Sequence, residues 1–443
     1  MFGYYLDLAL RSLRRNPVLT ALMVLAIALG IGASMTTLTV MHLLSGDPMP
    51  GRSDTLFYAQ VDARPDSAER EQPLDMIDFR SAVDLWSAQR ADRQTMVARS
   101  PVKLQASGTQ QSPLMGIMLS TTADFFTMFD VPFRYGGPWR PEDGEKRARV
   151  AVISAELNQK LFGGTDSVGR QLQIRGTSVR IVGVLDHWRP RPLFYTVAGG
   201  SFSNGDTGHF YGKPQDVMVP FFTSLELNEG HFWQYTCWNL PETPGHLQNS
   251  DCVWIGLWLQ LDDTAKVAGY RRFLDDYAAQ QVRLGRFAST NNVRLRSLMQ
   301  WLDYNHVVPT DVRLQTWLAF SFLAICLFNT VGLLLAKFLR RSGEIGVRRA
   351  LGASRAAVFA QCLTEAGMIG LIGGFAGWLL TLVGLWLVRR QPAEYADLAH
   401  LDLPMFLTTF LLAVAVSLLA GVLPALRASR VAPGLQIKTL GGA

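Results

Sequence analysis

Residues Arg340–Val388 read RRSGEIGVRRALGASRAAVFAQCLTEAGMIGLIGGFAGWLLTLVGLWLV. A basic, amphipathic stretch runs directly into a long apolar one rich in glycine. An apolar run of about 20 residues is long enough to cross a bilayer. The basic stretch belongs on the cytoplasmic side, where Lys and Arg are retained. The pattern therefore predicts a polar helix at the inner face of a membrane, followed by a membrane span.

Working outward, three more runs are free of Lys, Arg, Asp and Glu. The reading assigns four transmembrane helices, at residues 17–44, 314–336, 357–388 and 403–426. Glu365 is the single charge in the third, close to its basic end, where an arginine can pair with it. The chain has 443 residues, is 49% hydrophobic and carries a formal charge of +6. Its mean hydropathy of +0.14 is too high for an ordinary soluble protein and too low for a bundle of spans alone. The basic surplus sits beside the apolar runs, as membrane orientation requires, so it gives no reason to expect a nucleic-acid partner. The first run is longer than the apolar part of a signal peptide and no A-x-A site follows it, so it is expected to stay as an anchor.

Arg11, Arg14 and Arg15 precede the first span. Lys337, Arg340, Arg341, Arg348, Arg349 and Arg355 separate the second from the third, and Arg427, Arg430 and Lys438 follow the fourth. These segments share one side, which places both termini, and residues 337–356 and 427–443, in the cytoplasm of a bacterial inner membrane. Residues 1–16 form an amphipathic helix in this reading, with Phe2, Tyr5, Leu6, Ala9, Leu10 and Leu13 opposite Asp7, Arg11 and Arg14. It lies along the membrane surface. Residues 45–313 and the short loop 389–402 then lie outside.

A segment of that length is a domain, not a loop. VAVIS (150–154), QLQI (171–174) and VRIVGV (179–184) read as strands, the last two around a turn at Arg175-Gly176-Thr177. Residues 155–161, 75–86 and 267–281 carry helical periodicity. The order gives an α+β domain inserted between the first and second spans. Residues 189–250, rich in Gly, Pro, Asn and aromatics, read as long loops on short strands. Helical stalks are expected near 45–55 and 291–313.

Cys237 and Cys252 both fall in this external part, where an oxidising compartment favours a disulfide. The competing metal set, His231, Cys237, His246 and Cys252, has no known zinc spacing. No metal site is expected. Residues 164–170 (GTDSVGR) resemble a phosphate loop faintly, with Arg where Lys is required. No nucleophile elbow or HExxH occurs, and no catalytic residue is expected. Small residues stand at four-residue spacing in the spans: Ala26, Gly30 and Ser34 in the first, and Gly370/Gly374 and Gly373/Gly377 in the third. Such stripes let helices approach closely.

Three stretches carry a family resemblance. EIGVRRALGASRAAVF (344–359) leads into LTEAGMIGLIGGFAG (363–377), and PALRASRVAPGLQIK (424–438) closes the chain. In the external part, DFFTMF (124–129) precedes RVAVISAELNQKLFGGTDSVGRQLQIRGTSVRIVGV (149–184). Together with the one-plus-three order of spans, the chain resembles a MacB/FtsX-type permease of the ABC superfamily, the mechanotransmission class. It departs from MacB in carrying no fused ATPase domain, as in the split members. Trp188, Trp233, Trp238, Trp254 and Trp258 match no pattern of that family.

The resemblance implies a non-catalytic permease driven by a separate ATPase subunit, which holds the ATP and Mg; no cofactor is expected on this chain. It implies that 343–359 is a coupling helix for that ATPase, with Glu344, Arg348, Arg349, Leu351, Gly352, Ser354 and Arg355 as its site residues. On the residue pattern, Ile345, Val347, Ala350, Leu351 and Val358 face the bundle and the arginines face the aqueous side. A second permease, identical or a sister chain, completes the working unit. Further partners are membrane lipid, a periplasmic adaptor and an outer-membrane channel. The expected task is export of a drug, peptide or other amphiphile from the periplasm. Lipoprotein extraction, control of a cell-wall hydrolase, and ligand sensing remain as alternatives.

Overall fold

The computed structural model describes residues 8, 11–13, 15–108, 112–199, 210–232, 234–243, 245–248, 251–308, 310–391, 396–399 and 403–430. Most of the expected N-terminal amphipathic helix, the tail beyond 430, part of the 389–402 loop and Trp233 lie outside the described residues. The chain divides into two compact units, Gly46–Val307 and the flanking segments Met1–Ser45 with Val308–Ala443.

The flanking unit is built on four long apolar helices: Pro17–Ser45, Thr310–Arg340, Arg355–Val388 and Leu403–Ser429. Each has the length and composition to cross a membrane. Large apolar side chains such as Leu22, Trp317, Phe328, Phe375 and Leu411 remain exposed on them, as lipid-facing positions do. The first span is the packing centre. Its Ile27 and Ile31 fit against Gly373 and Gly377 of the third span, where an added Cβ meets the isoleucine side chains at 2.8–3.0 Å. Its Gly30 lies against Leu323 and Cys326 of the second span, and Ser34 Oγ donates to the Ala319 carbonyl at 3.0 Å. Gly370 leaves room for Ser417 of the fourth span. Gly374 is buried, while Ala26 of the first stripe is half-exposed. The stripes thus serve different neighbours. Gly30 and Ser34 admit the second span, and the glycines of the third admit the first and fourth.

The Gly46–Val307 unit is α+β. Its strands are β1 (Leu56–Val61), β2 (Ile77–Asp78), β3 (Arg93–Ala106), β4 (Leu114–Thr121), β5 (Phe133–Gly136) and β6 (Val150–Ile153). They continue with β7 (Gln171–Ile174), β8 (Thr177–Leu185), β9 (Val217–Pro220), β10 (Thr236–Cys237), β11 (Cys252–Gln260) and β12 (Val293–Ser297). The main sheet runs β12-β1-β11-β3-β4-β9-β6-β8-β5. β4/β9 and β6/β8 pair parallel; the other pairings are antiparallel. The long strand β3 pairs with β11 at one end and β7 at the other, so it belongs to both halves of the unit. One core packs β1, β3 and β11 with helices Phe79–Ser87 and Thr264–Arg283. The other packs β6, β7 and β8 with helix Ala155–Phe162.

Local chemistry explains where these elements start and stop. Arg175 and Gly176 take positive φ and turn β7 into β8. Ser154 caps helix Ala155–Phe162 by accepting from the Leu157 N–H at 3.1 Å, and Gly163 ends it in the left-handed region.

Four expectations need correction. The helix expected over 75–86 begins at Phe79, because Ile77-Asp78 pairs with β11 and Asp78 caps the helix through the Ser81 N–H at 3.0 Å. The loop expected over 189–250 contains helix Phe221–Leu227 as well as short strands. The stalk expected over 291–313 is not one continuous helix. VRLRS alternates, turns Leu295 inward and pairs along β1, and Ser297 then caps the separate helix Leu298–Tyr304. Around 45–55 the described backbone has one 3-10 turn, Ser53–Thr55, after the first span ends at Ser45.

Candidate functional site

Between the second and third spans lies a short loop helix, Ser342–Ala350. Gly352, at φ +103°, breaks the chain after it. Ser354 then caps the third span, accepting from the Ala357 N–H at 3.1 Å. Arg355, at the start of that span, is exposed. The expected site residues therefore form one contiguous structure of helix, turn and cap.

Its faces follow the amphipathic reading at Ile345 and Val358, which pack in the bundle core, and depart from it elsewhere. Val347 is 50% exposed and Leu351 83%, and Ala350 is exposed as well. Ile345 packs against the bundle core and Gly346 is buried. The arginines fold back instead. Arg348 donates to Glu344 at 3.2 Å and to Gln361 of the third span at 3.0 Å. Arg349 reaches the Ser429 carbonyl at the end of the fourth span at 3.4 Å. Acceptors on the neighbouring helices draw the guanidinium groups inward, and the small Gly346 lets the helix sit close. The apolar side chains at 347 and 351 are thereby left outside.

Behind this helix lies a buried charge cluster. Lys337 Nζ, at the end of the second span, is 2.6 Å from Glu365 of the third, and the two side chains are 0% and 3% exposed. Arg341 donates to the other Glu365 oxygen at 3.1 Å and to Ser12 Oγ at 2.8 Å. The Ser12 hydroxyl donates to Glu365 in turn. Arg341 also forks onto Glu344, with both contacts at 3.2 Å. That hydrogen bond, with the charges of Arg341, Arg348 and Arg15, holds the Glu344 carboxyl below the usual carboxylate range. Glu365 was visible in the sequence as a lone intramembrane acid, and its pairing with an arginine is what the structure has. Lys337 and Ser12 carried no such signal. Lys337 reads as one more positive-inside residue, and Ser12 as a polar residue on a surface helix.

In the other unit, Cys237 and Cys252 are joined in a disulfide that closes β10 onto β11. With both sulfurs so used, the competing metal set loses two of its four members. Part of the aromatic-rich region supplies core. All of β11 is buried, and Trp254 and Trp258 with it. Their indole N–H groups donate to the carbonyls of Leu247 and Tyr195, both at 3.3 Å. Trp301 stacks on Tyr58 with centroids 3.9 Å apart. Beside this core, Asp75 is buried. Desolvation raises its carboxyl to about 6, against the opposing effects of the Gly199 N–H and Arg296.

Four helices with the length and composition of membrane spans, a large α+β unit inserted after the first and a charged loop helix before the third define a membrane protein with a large inserted domain. A sequence profile of the MacB-like periplasmic core domain matches residues 20–272, and one of the FtsX-like permease C-terminal region matches 317–433. The chain belongs to the MacB/FtsX family of ABC transporter permeases. It is 21% identical to the macrolide export ATP-binding/permease protein MacB of Rhodopirellula baltica, over 96% of this chain and 60% of that one. It is 24% identical to MacB of Shigella flexneri, over 98% of this chain and 60% of that one. With the pyoverdine export ATP-binding/permease protein PvdT of Pseudomonas aeruginosa it shares 25% identity, over 70% and 40%. The chain thus spans 60% or less of the length of these relatives. The crystallised periplasmic region of MacB from Actinobacillus actinomycetemcomitans overlays with a TM-score of 0.34 and 10% identity, over 56% of this chain and 90% of that one.

Proposed function

We propose that this chain is the permease of an ATP-driven mechanotransmission exporter in a bacterial inner membrane, with both termini and the loop helix in the cytoplasm. A separate ABC ATPase subunit carries the ATP and Mg and docks on the loop helix. Its closure displaces that helix and the spans tied to it. The chain carries the motion onward where the first span ends at Ser45 and the second unit ends at Val307. A second permease completes the working unit. The cargo is an amphiphile taken from the periplasm through an adaptor and an outer-membrane channel. Relatives named for macrolide and for pyoverdine export support this choice.

The observation that carries the reading is the loop helix itself. Its arginines are committed to the bundle, while Val347, Ala350 and Leu351 stand outward with nothing of this chain covering them among the described residues. An outward apolar cluster of this kind fits a hydrophobic docking contact. The 443 residues contain no G-x-x-x-x-G-K-[ST] sequence that would supply ATP hydrolysis.

Copurification from the native membrane, with identification of every subunit, tests the assignment. A stoichiometric ABC ATPase is expected; its consistent absence overturns the reading. Sidedness is tested separately with an impermeant maleimide on intact cells. A cysteine at Lys146 should react and one at Leu351 should not. The opposite pattern removes the cytoplasmic loop helix.

A further inference from the structure

Charged side chains tie the loop helix to the rest of the protein, and the most buried of them converge on one group. Glu365 is ion-paired with Lys337 on the second span and accepts hydrogen bonds from Arg341, which caps the start of the loop helix, and from Ser12 on the segment preceding the first span. Glu365 itself stands on the third span. A single carboxylate therefore ties together four parts of the chain, Ser12 being more than 300 residues from the others. We propose that Glu365 is a positioning residue that locks the loop helix to the second and third spans and to the segment that leads into the first, so that displacement of the helix moves them as one body.

The chemistry favours this role over simple stabilisation. Withdrawing a carboxylate and an ammonium from water is costly, and a well-packed apolar pair at the same place is often as stable or more so. An apolar pair has no direction, whereas a carboxylate with two hydrogen-bond donors and an ion-pair partner fixes the orientation of the donors. The two donors, Arg341 and Ser12, also bond to each other at 2.8 Å, which closes the arrangement. Arg341 passes the constraint outward, because its guanidinium also grips Glu344, to which Arg348 is bonded in turn. A chain of ion pairs thus runs from the buried carboxylate to the helix that presents Leu351. The contacts of Gly30, Gly373 and Gly377 between the spans rest on shape and carry no charge. Without the carboxylate, the helix retains the turn at Gly352, the packing of Ile345, the bond from Arg348 to Gln361 of the third span, the Arg15–Glu344 ion pair at 3.7 Å and the reach of Arg349 to the Ser429 carbonyl, all of them nearer the surface than Glu365.

The proposal rests on the permease reading for its consequence, but its geometry is testable alone. Nitroxides at Ala350 and Leu423 of the full chain in nanodiscs, with Cys326 and Cys362 changed to serine, report the seating of the loop helix. A single narrow distance distribution is expected in the parent protein. Glu365→Gln should at least double its width, and an unchanged distribution overturns the proposal whether or not an ATPase docks there.

With the ATPase reconstituted, Glu365→Gln should lower transport per ATP hydrolysed at least tenfold while changing the affinity for the ATPase less than threefold. Leu351→Ala should do the reverse. Lys337→Met with Glu365→Met separates positioning from stability. This pair removes both buried charges and should restore the melting temperature towards the parent value. Coupling should stay low, because Arg341 has lost its anchor. Recovery of both together shows a merely structural pair and overturns the proposal. If Leu351→Ala leaves ATPase affinity intact, the docking reading fails, and the nitroxide distances still decide the role of Glu365.

Discussion

Lys337 and Glu365 lie 2.6 Å apart on two different spans, with both side chains withdrawn from solvent. Removing Glu365 leaves Lys337 as an uncompensated buried charge, a loss of about 3–5 kcal/mol, whereas removing Lys337 leaves Glu365 paired with Arg341. Glu365→Met alone should therefore destabilise the bundle strongly, and chemical unfolding in nanodiscs measures it. A loss under about 1 kcal/mol would mean that water reaches the pair.

Asp75 gives the external unit a pH dependence. Its folded carboxyl sits at about 6, raised from 3.8 by burial. The folded state therefore holds the proton more tightly than the unfolded state. The associated stability is fully present below about pH 4 and is lost as the pH rises through about 6. The shift corresponds to a loss of about 3 kcal/mol over that window. Asp75→Asn should flatten this part of the stability profile. Urea unfolding of the full chain in nanodiscs, followed through the buried tryptophans between pH 4 and 7, checks it. Equal slopes in parent and variant would show that Asp75 is hydrated.

Much of the fold was legible because membrane spans and strand alternation are written in local composition. Four apolar runs cannot be hidden, and VAVIS, QLQI and VRIVGV gave β6, β7 and most of β8. Other features depend on what a segment meets in three dimensions. VRLRS is too short for periodicity to decide, and pairing with β1 made it a strand. The helix expected over 75–86 lost its first residues to Asp78, whose carboxylate is a better cap than a helix interior residue. The loop helix was legible as an element but not in orientation. Amphipathicity says that two faces differ, and it cannot say that Gln361, Glu365 and the Ser429 carbonyl stand on the inner side to receive arginines.

The close approach of the first and third spans depends on Gly373. A Cβ there meets Ile27 Cγ2 at 2.8 Å and Cβ at 2.9 Å, closer than carbon atoms tolerate. Gly373→Ala should cost about 1–3 kcal/mol through overpacking. Adding Ile27→Ala supplies the missing space, so the double variant should recover part of that loss. Coupling between the two sites, measured by a double-mutant cycle on nanodisc samples, is the expected outcome. Strict additivity would place the two residues out of contact.

The orientation of the loop helix changes which substitutions should matter for a docking partner. A basic outer face would make Arg348 and Arg349 the main contacts. Here Arg348 is bonded to Glu344 and Gln361, and Arg349 reaches Ser429, while Leu351 is 83% exposed. Burying a leucine side chain at an interface contributes about 1.5–3 kcal/mol, roughly a ten- to hundredfold change in affinity. Leu351→Ala should therefore weaken binding of the separate ATPase by at least tenfold. Arg348→Ala should change it less than Leu351→Ala, since it acts only through the seating of the helix. Val347→Ala should fall between them, because Val347 is half-exposed on the same side. Titration of the ATPase against each variant in nanodiscs gives the order directly. If Arg348→Ala abolishes binding and Leu351→Ala is silent, the partner reads the basic residues. The helix must then turn over on docking and give up its bonds to Glu344 and Gln361.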